Sequence, residues 1–208
     1  MLRISPHRAL SLAVGIGFGL ASCTELPNDV GVRRHRSVAA QTRSASHHPI
    51  SSSWNDAGSS KGTPKILVNL TTQQAFFYRG KLLVGQTNIS SGRKDFETPP
   101  GNYRVIQKDA DHLSSQYGAY VARSGAVLLR DADVNKDPCP EGAHFVGAPM
   151  PFFLRFTGGY GMHAGFVPRY RASHGCIRMP EKMAKHFFDA AMMGTRVEVI
   201  EPSFKVKR

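Results

Sequence analysis

Between Gly161 and Pro180 the chain sets two histidines and a cysteine, His163, His174 and Cys176, among glycines and short polar residues. These residue types at this spacing point to nucleophilic catalysis. A thiol with a free pKa of about 8.5 is mostly protonated at neutral pH. An imidazole within reach takes that proton and leaves a strong nucleophile. His163 stands thirteen positions before Cys176, and segment 165–172 between them is long enough to fold back. Cys176 is therefore the expected nucleophile and His163 the proton donor and acceptor, with His174 supporting the turn or an oxyanion. Gly175 lets the backbone approach a substrate carbonyl with no Cβ in the way. The N–H groups of Gly175 and Cys176 are expected to face a developing oxyanion. Ser173 and Arg178 flank the cysteine as the expected substrate-binding pair. A guanidinium suits a carboxylate; Arg178 tying the loop down is the equal alternative.

Each of these residues also has a plainer reading. A lone cysteine is most often a buried structural thiol, and only the histidines beside Cys176 reverse that. His163, His174, Cys176 and Cys139 are all zinc-ligand types, but their spacing follows no common zinc pattern. No metal and no other cofactor is expected. Cys139, between Pro138 and Pro140, reads as a loop thiol. Three cysteines give no complete disulfide framework.

The elements that must carry these groups are mostly strands. Ile66, Val68 and Leu70 alternate with their neighbours at the strand period. Residues 74–78 and 82–89 flank Arg79-Gly80-Lys81 and read as a hairpin. Thr98-Pro99-Pro100-Gly101 is a corner, because proline fixes φ and donates no hydrogen bond. A strand resumes over 102–107, and 126–130 is a short apolar strand. Segment 131–142, with its Asp and Pro residues, reads as loop. Residues 150–156 and 160–164 read as further strands, the second carrying His163. Pro180 opens the single convincing helix, with Met183, Phe187, Ala190 and Ala191 on one stripe and Gly194 as its stop. Thr195 to Ile200 is a last strand. The balance predicts a mainly β sandwich or barrel with one principal helix after the cysteine. Segment 109–148 fits this scheme least; a lid over a groove and a surface insertion are both open readings.

The N-terminus speaks to compartment. Arg3 and Arg8 precede an uncharged apolar run from Ala9 to Leu20, followed by small residues: the order of a secretory signal. The run is shorter than the ~20 residues of a membrane span. Leu20-Ala21-Ser22-Cys23 resembles a bacterial lipobox, which implies lipid attachment at Cys23 and removal of residues 1–22. Residues 23–62 are polar and read as a flexible tether. The formal charge of +12 favours anionic partners. No zinc-finger spacing or arginine-rich recognition helix is present, and no nucleic-acid partner is expected.

The block Ser173-His174-Gly175-Cys176-Ile177-Arg178 with upstream His163 resembles the motif of the L,D-transpeptidase catalytic domain. Pro64 to Val68, the Thr98 to Gly101 corner and Met150 to Phe156 resemble other parts of that domain, so the likeness covers about residues 64–200. It implies a domain over 63–201, with a tail at 202–208. It also implies that Cys176 attacks the third-residue carbonyl of a peptidoglycan tetrapeptide stem, releases D-alanine and holds a thioester. A second stem amine then gives a cross-link, a lipoprotein amine gives protein anchoring, and water gives carboxypeptidase activity. The non-enzymatic alternative is a lipid-anchored wall-binding module. The expected location is the cell envelope, facing the periplasm from a lipid anchor, with the outer membrane indicated for a Gram-negative host.

Overall fold

The computed structural model describes residues 52–56, 61–168 and 170–202. All belong to one compact unit, Ala45–Arg208. The signal sequence, Cys23, most of the expected tether and the last six residues lie outside the described residues.

Thirteen strands and one helix are formed among the described residues, which confirms the mainly β expectation. A six-stranded sheet has the order β1(Ser53–Trp54), β4(Leu82–Asn88), β3(Gln74–Arg79), β2(Pro64–Asn69), β13(Arg196–Ile200), β5(Gly101–Arg104). A four-stranded sheet has the order β12(Ile177–Met179), β11(Tyr160–Ala164), β10(Phe153–Thr157), β6(Gln107–Asp109). A three-stranded sheet has the order β8(Val127–Asp133), β7(Leu113–Ala122), β9(Ala143–Pro149). Helix α1 spans Glu181–Ala190.

Alternation explains how the two larger sheets share one core. Ile66, Val68, Phe77, Val84, Val197 and Val199 point inward from the first sheet. Leu154, Phe156, Met162, Ile177 and Met179 point inward from the second, and Met183, Ala184 and Phe187 close the core from α1. Two pairings are parallel, β2 with β13 and β11 with β12.

Several boundaries differ from the sequence reading. The packed body begins before residue 63: β1 pairs with the edge of β4, and Trp54 packs against Phe77 and Phe187 while its indole stacks on His186 at 5.0 Å. Gly85 is what admits the indole, since a Cβ there would meet it at 2.3 Å. The helix stops at Ala190, before Gly194, because tertiary bonds claim the next turn. The Ala191 carbonyl accepts from Lys108, and the Gly194 N–H donates to Val105. Strand β8 continues to Asp133 through part of the expected loop.

Candidate active site

The alternation that builds the core also builds the site. On β11, Met162 and Ala164 enter the core; on β12, Ile177 and Met179 do. The parallel register aligns Met162 with Ile177 and His163 with Arg178. His163 and Arg178 therefore project from the opposite face, as does Cys176 just before β12. On β10, Leu154 and Phe156 take the core side, which leaves Phe153 and Arg155 on the same outer face, with Arg155 opposite Gly161. One face of this sheet is thus apolar, and the other gathers His163, Cys176, Arg155 and Arg178. Diagonal neighbours on adjacent strands lie about 7–8 Å apart, within reach of an aromatic side chain.

Cys176 is half-buried. Its thiol donates to the Gly159 carbonyl at 3.5 Å. Burial pushes the thiol pKa up, against the opposing pull of the Gly161 backbone hydrogen bond and the Arg155 and Arg178 charges. His163 is 6% exposed. Its Nδ1 lies 2.8 Å from the Ala164 carbonyl oxygen, which can only accept, so Nδ1 carries the proton and Nε2 keeps a free lone pair. Burial lowers the imidazole pKa to about 4; the Ala164 bond opposes this, and the Arg178 and His112 charges add to it. Both partners are consequently neutral at pH 7. Phe153 lies beside the imidazole at 6.3 Å and is itself backed by the His112 ring at 4.2 Å.

A second strip of chain, Ser90 to Thr98, grips the cysteine turn from the other side. Ser90 and Arg178 exchange backbone bonds at 3.0 and 2.9 Å. Ser173 donates to the Ser91 carbonyl, and Arg93 donates to the Ser173 carbonyl. The Thr98 hydroxyl accepts from the Gly92 N–H at 3.0 Å and donates to the Gly175 carbonyl at 2.6 Å. Gly92 must be glycine here, since a Cβ would meet the Phe96 carbonyl oxygen at 2.0 Å. Gly175 has φ +117° and presses against the Tyr160 ring, so both its conformation and its space exclude a side chain.

Three sequence expectations look different in this setting. The Gly175 N–H does not face the cleft; it donates to the Ser173 hydroxyl at 3.0 Å. That hydroxyl in turn donates to the Cys176 carbonyl. Ser173, 1% exposed, is thereby an internal clamp of the turn and presents nothing to a substrate. His174 is held by Arg93, which donates to its Nε2 at 2.7 Å, and by Tyr117, stacked at 4.3 Å. Desolvation, then the Arg93 charge, lower its pKa, and a ring nitrogen that accepts from a guanidinium is neutral. Arg178 has no carboxylate within ion-pair distance among the described residues. No cluster of three His, Cys, Asp or Glu side chains could hold a metal ion among the described residues.

Sequence reasoning gave no site role to Thr98, Arg93, Arg155 or Tyr117. Tyr117 comes from β7 and brings the three-stranded sheet to the site, where its ring stacks on His174. The run Ser90-Ser91-Gly92 ahead of the Thr-Pro-Pro-Gly corner was the available signal.

A mainly β sandwich with a cysteine and a neutral histidine on the outer face of one sheet sets the class of fold. The comparisons narrow it. The family model for the L,D-transpeptidase catalytic domain, YkuD, matches residues 63–199, and the chain belongs to that family. The probable L,D-transpeptidase ErfK/SrfK of Salmonella typhimurium is 25% identical over 152 residues, covering 67% of this chain and 45% of the relative, so the chain spans less than half of that protein's length. A solved L,D-transpeptidase from Mycobacterium smegmatis aligns with TM-score 0.51 and 15% identity, over 66% of this chain and 58% of the other. The L,D-transpeptidase LdtMt1 in complex with imipenem aligns with TM-score 0.51 and 16% identity, over 66% and 59%. At these identities the structures support the fold.

Proposed function

We propose that this chain is an L,D-transpeptidase acting on tetrapeptide stems of peptidoglycan, with Cys176 as nucleophile and His163 as its base. The observation that carries the reading is the shared face of β11 and β12, where register sets a neutral imidazole with a free Nε2 one diagonal step from the residue that bears the thiol. The Arg178 guanidinium, with no ion-pair partner among the described residues, is on the same face.

The Cys176 sulfur attacks the carbonyl of the third stem residue as its proton passes to His163 Nε2. The tetrahedral oxyanion takes a hydrogen bond from the Cys176 N–H, since the Gly175 N–H is occupied. The C–N bond breaks, His163 returns the proton to the departing D-alanine amine, and a thioester remains. An amine of a second stem then attacks the thioester carbonyl, His163 takes its proton, the C–S bond breaks, and His163 returns that proton to the departing sulfur. A protein amine or water in that last position gives anchoring or carboxypeptidase activity. Arg178 holds a stem carboxylate. Doing so also cancels a charge that depresses His163, so binding raises the basicity of the group that must take the proton.

A carbapenem tests this directly, because its strained amide acylates a thiol with nothing leaving. Wild-type protein is expected to gain the full mass of the drug on Cys176, and Cys176→Ala to gain none while its thermal melt is unchanged. A wild type that stays unmodified yet binds wall polymer would establish the non-enzymatic module instead.

The location proposed is the cell envelope, with Cys23 lipid-modified. Its support is the N-terminal sequence order, and Cys23→Ala is expected to shift the protein from the membrane to the soluble fraction. Unchanged fractionation would remove the anchor from the account.

A further inference from the structure

The outer face of the six-stranded sheet carries a row of cations. Register puts Lys65 of β2 directly beside Arg196 of β13, and Arg196 directly beside Arg104 of β5. All three lie on the solvent face, because their neighbours Ile66, Val197 and Val105 are buried in the core. Arg104 and Arg196 are exposed. Like charges directly opposite on neighbouring strands destabilise a sheet. Among the described residues one carboxylate pairs with the three: Glu198, 3.9 Å from the Lys65 ammonium, with both side chains partly exposed. The two guanidiniums bond to neutral oxygens, Arg196 to the Asn102 side chain and Arg104 to the Gly194 carbonyl, each at 3.0 Å. Between them lies a shallow concavity lined by Asn102, Tyr103, Arg104 and Arg196.

We infer that this row is a second, non-catalytic docking surface for the carboxylate-bearing stem peptides of the wall polymer. The occupant follows from charge complementarity. A row of cations spaced by the ~4.8 Å between strands suits a chain that presents several carboxylates along its length. The row is also mechanically continuous with the cysteine turn. Thr98, whose hydroxyl holds the Gly175 carbonyl, stands six residues before Arg104, at most about 20 Å of extended chain. The core separates this face from the face that carries Cys176, so a polymer held there tethers the protein to the wall without occupying the cleft. The inference rests on the proposed wall substrate, but its readout is binding, which does not require Cys176 to react.

The experiment is co-sedimentation of the full chain with purified peptidoglycan sacculi, with pelleting in their absence subtracted. Arg104→Glu/Arg196→Glu is expected to be retained about tenfold more weakly than wild type at low salt, while Arg104→Lys/Arg196→Lys is retained as wild type. Sacculi whose carboxylates have been amidated are expected to lose wild-type protein to a similar degree. Carbapenem labelling of Cys176 in each variant reports both folding and the catalytic reading. The docking proposal is overturned if wild type does not bind, if the charge-reversed variant labels normally and pellets like wild type, or if amidated sacculi bind unchanged. Charge-dependent binding without labelling of any protein would sink the catalytic reading and leave the docking surface standing.

Discussion

The two sheets that meet at Cys176 are built on opposite principles. The four-stranded sheet has one fully buried face: Leu154, Phe156, Met162, Ile177 and Met179 are each 2% exposed or less. Its other face is thereby fixed to within a rotamer, and that is where His163, Cys176, Arg155 and Arg178 stand. The three-stranded sheet buries little. Along β8 the first five residues are all exposed, and Leu113, Val127, Leu128 and Val146 lie open to solvent. It is stitched together by polar bonds: the Gln116 amide links the Tyr117 hydroxyl and Asp133, and Asp133 also receives the Asn135 N–H. The difference assigns tasks. Packing on one side holds the reacting groups in register, while the other side approaches them through Tyr117 stacked on His174.

The largest effect is expected where that packing is densest. Phe187 of α1 is fully buried against Phe77 and Trp54. Phe187→Ala should cost about 3–5 kcal/mol, the loss of transfer energy plus a cavity that the surrounding rings cannot fill. Urea unfolding followed by tryptophan fluorescence measures it through the adjacent Trp54. A loss below about 1 kcal/mol would mean the core is not what fixes the site.

The site face stores its own cost, and pH exposes it. His163 has a folded pKa of about 4 against an ordinary 6.5. Above pH 6.5 neither folded nor unfolded chain binds a proton there, so stability is unaffected. As pH falls from 6.5 to about 4 the unfolded chain takes the proton first, and the folded state loses roughly 3 kcal/mol. His163→Gln should remove that contribution, leaving a shallower fall in urea midpoint between pH 7 and pH 4 than wild type shows. Equal slopes would mean that the imidazole is not desolvated.

How far the sequence reveals this division depends on which forces are local. The strands 64–69, 74–79 and 82–88 and the start of α1 are legible because alternating apolar residues and the proline at the helix N-cap act within a few positions. The block around Cys176 is legible because the chemistry needs those residue types close together. Thr98 is readable as part of a corner, but its hydroxyl bond to Gly175 spans 77 positions. Nothing near Thr98 in the chain announces it. Ser173 looks like a surface hydroxyl beside a nucleophile, and only the folded turn shows it satisfied from both sides. Tyr117 lies in a stretch with little apolar alternation, since β7 buries only Ser114 and Tyr120. The same weakness hides the continuation of β8 to Asp133, which polar bonds rather than apolar contacts hold in place.

The smallest expected effect sharpens the contrast. Leu128 is 49% exposed near the start of β8, an edge strand, so Leu128→Ser removes little buried area and should change stability by no more than about 0.5 kcal/mol. Tyr117, on the neighbouring strand, is the informative partner. Tyr117→Ala deletes the ring stacked on His174 and should cost about 1 kcal/mol. It should also slow carbapenem labelling of Cys176, because the turn carrying the cysteine loses the wall that Tyr117 supplies. If Leu128→Ser slowed labelling as much as Tyr117→Ala, the small sheet would act on the cleft as a whole. If neither did, the four-stranded face and the Ser90–Thr98 strip alone would set the geometry. A selective loss at Tyr117 is the outcome expected of a sheet that contributes one ring and little packing.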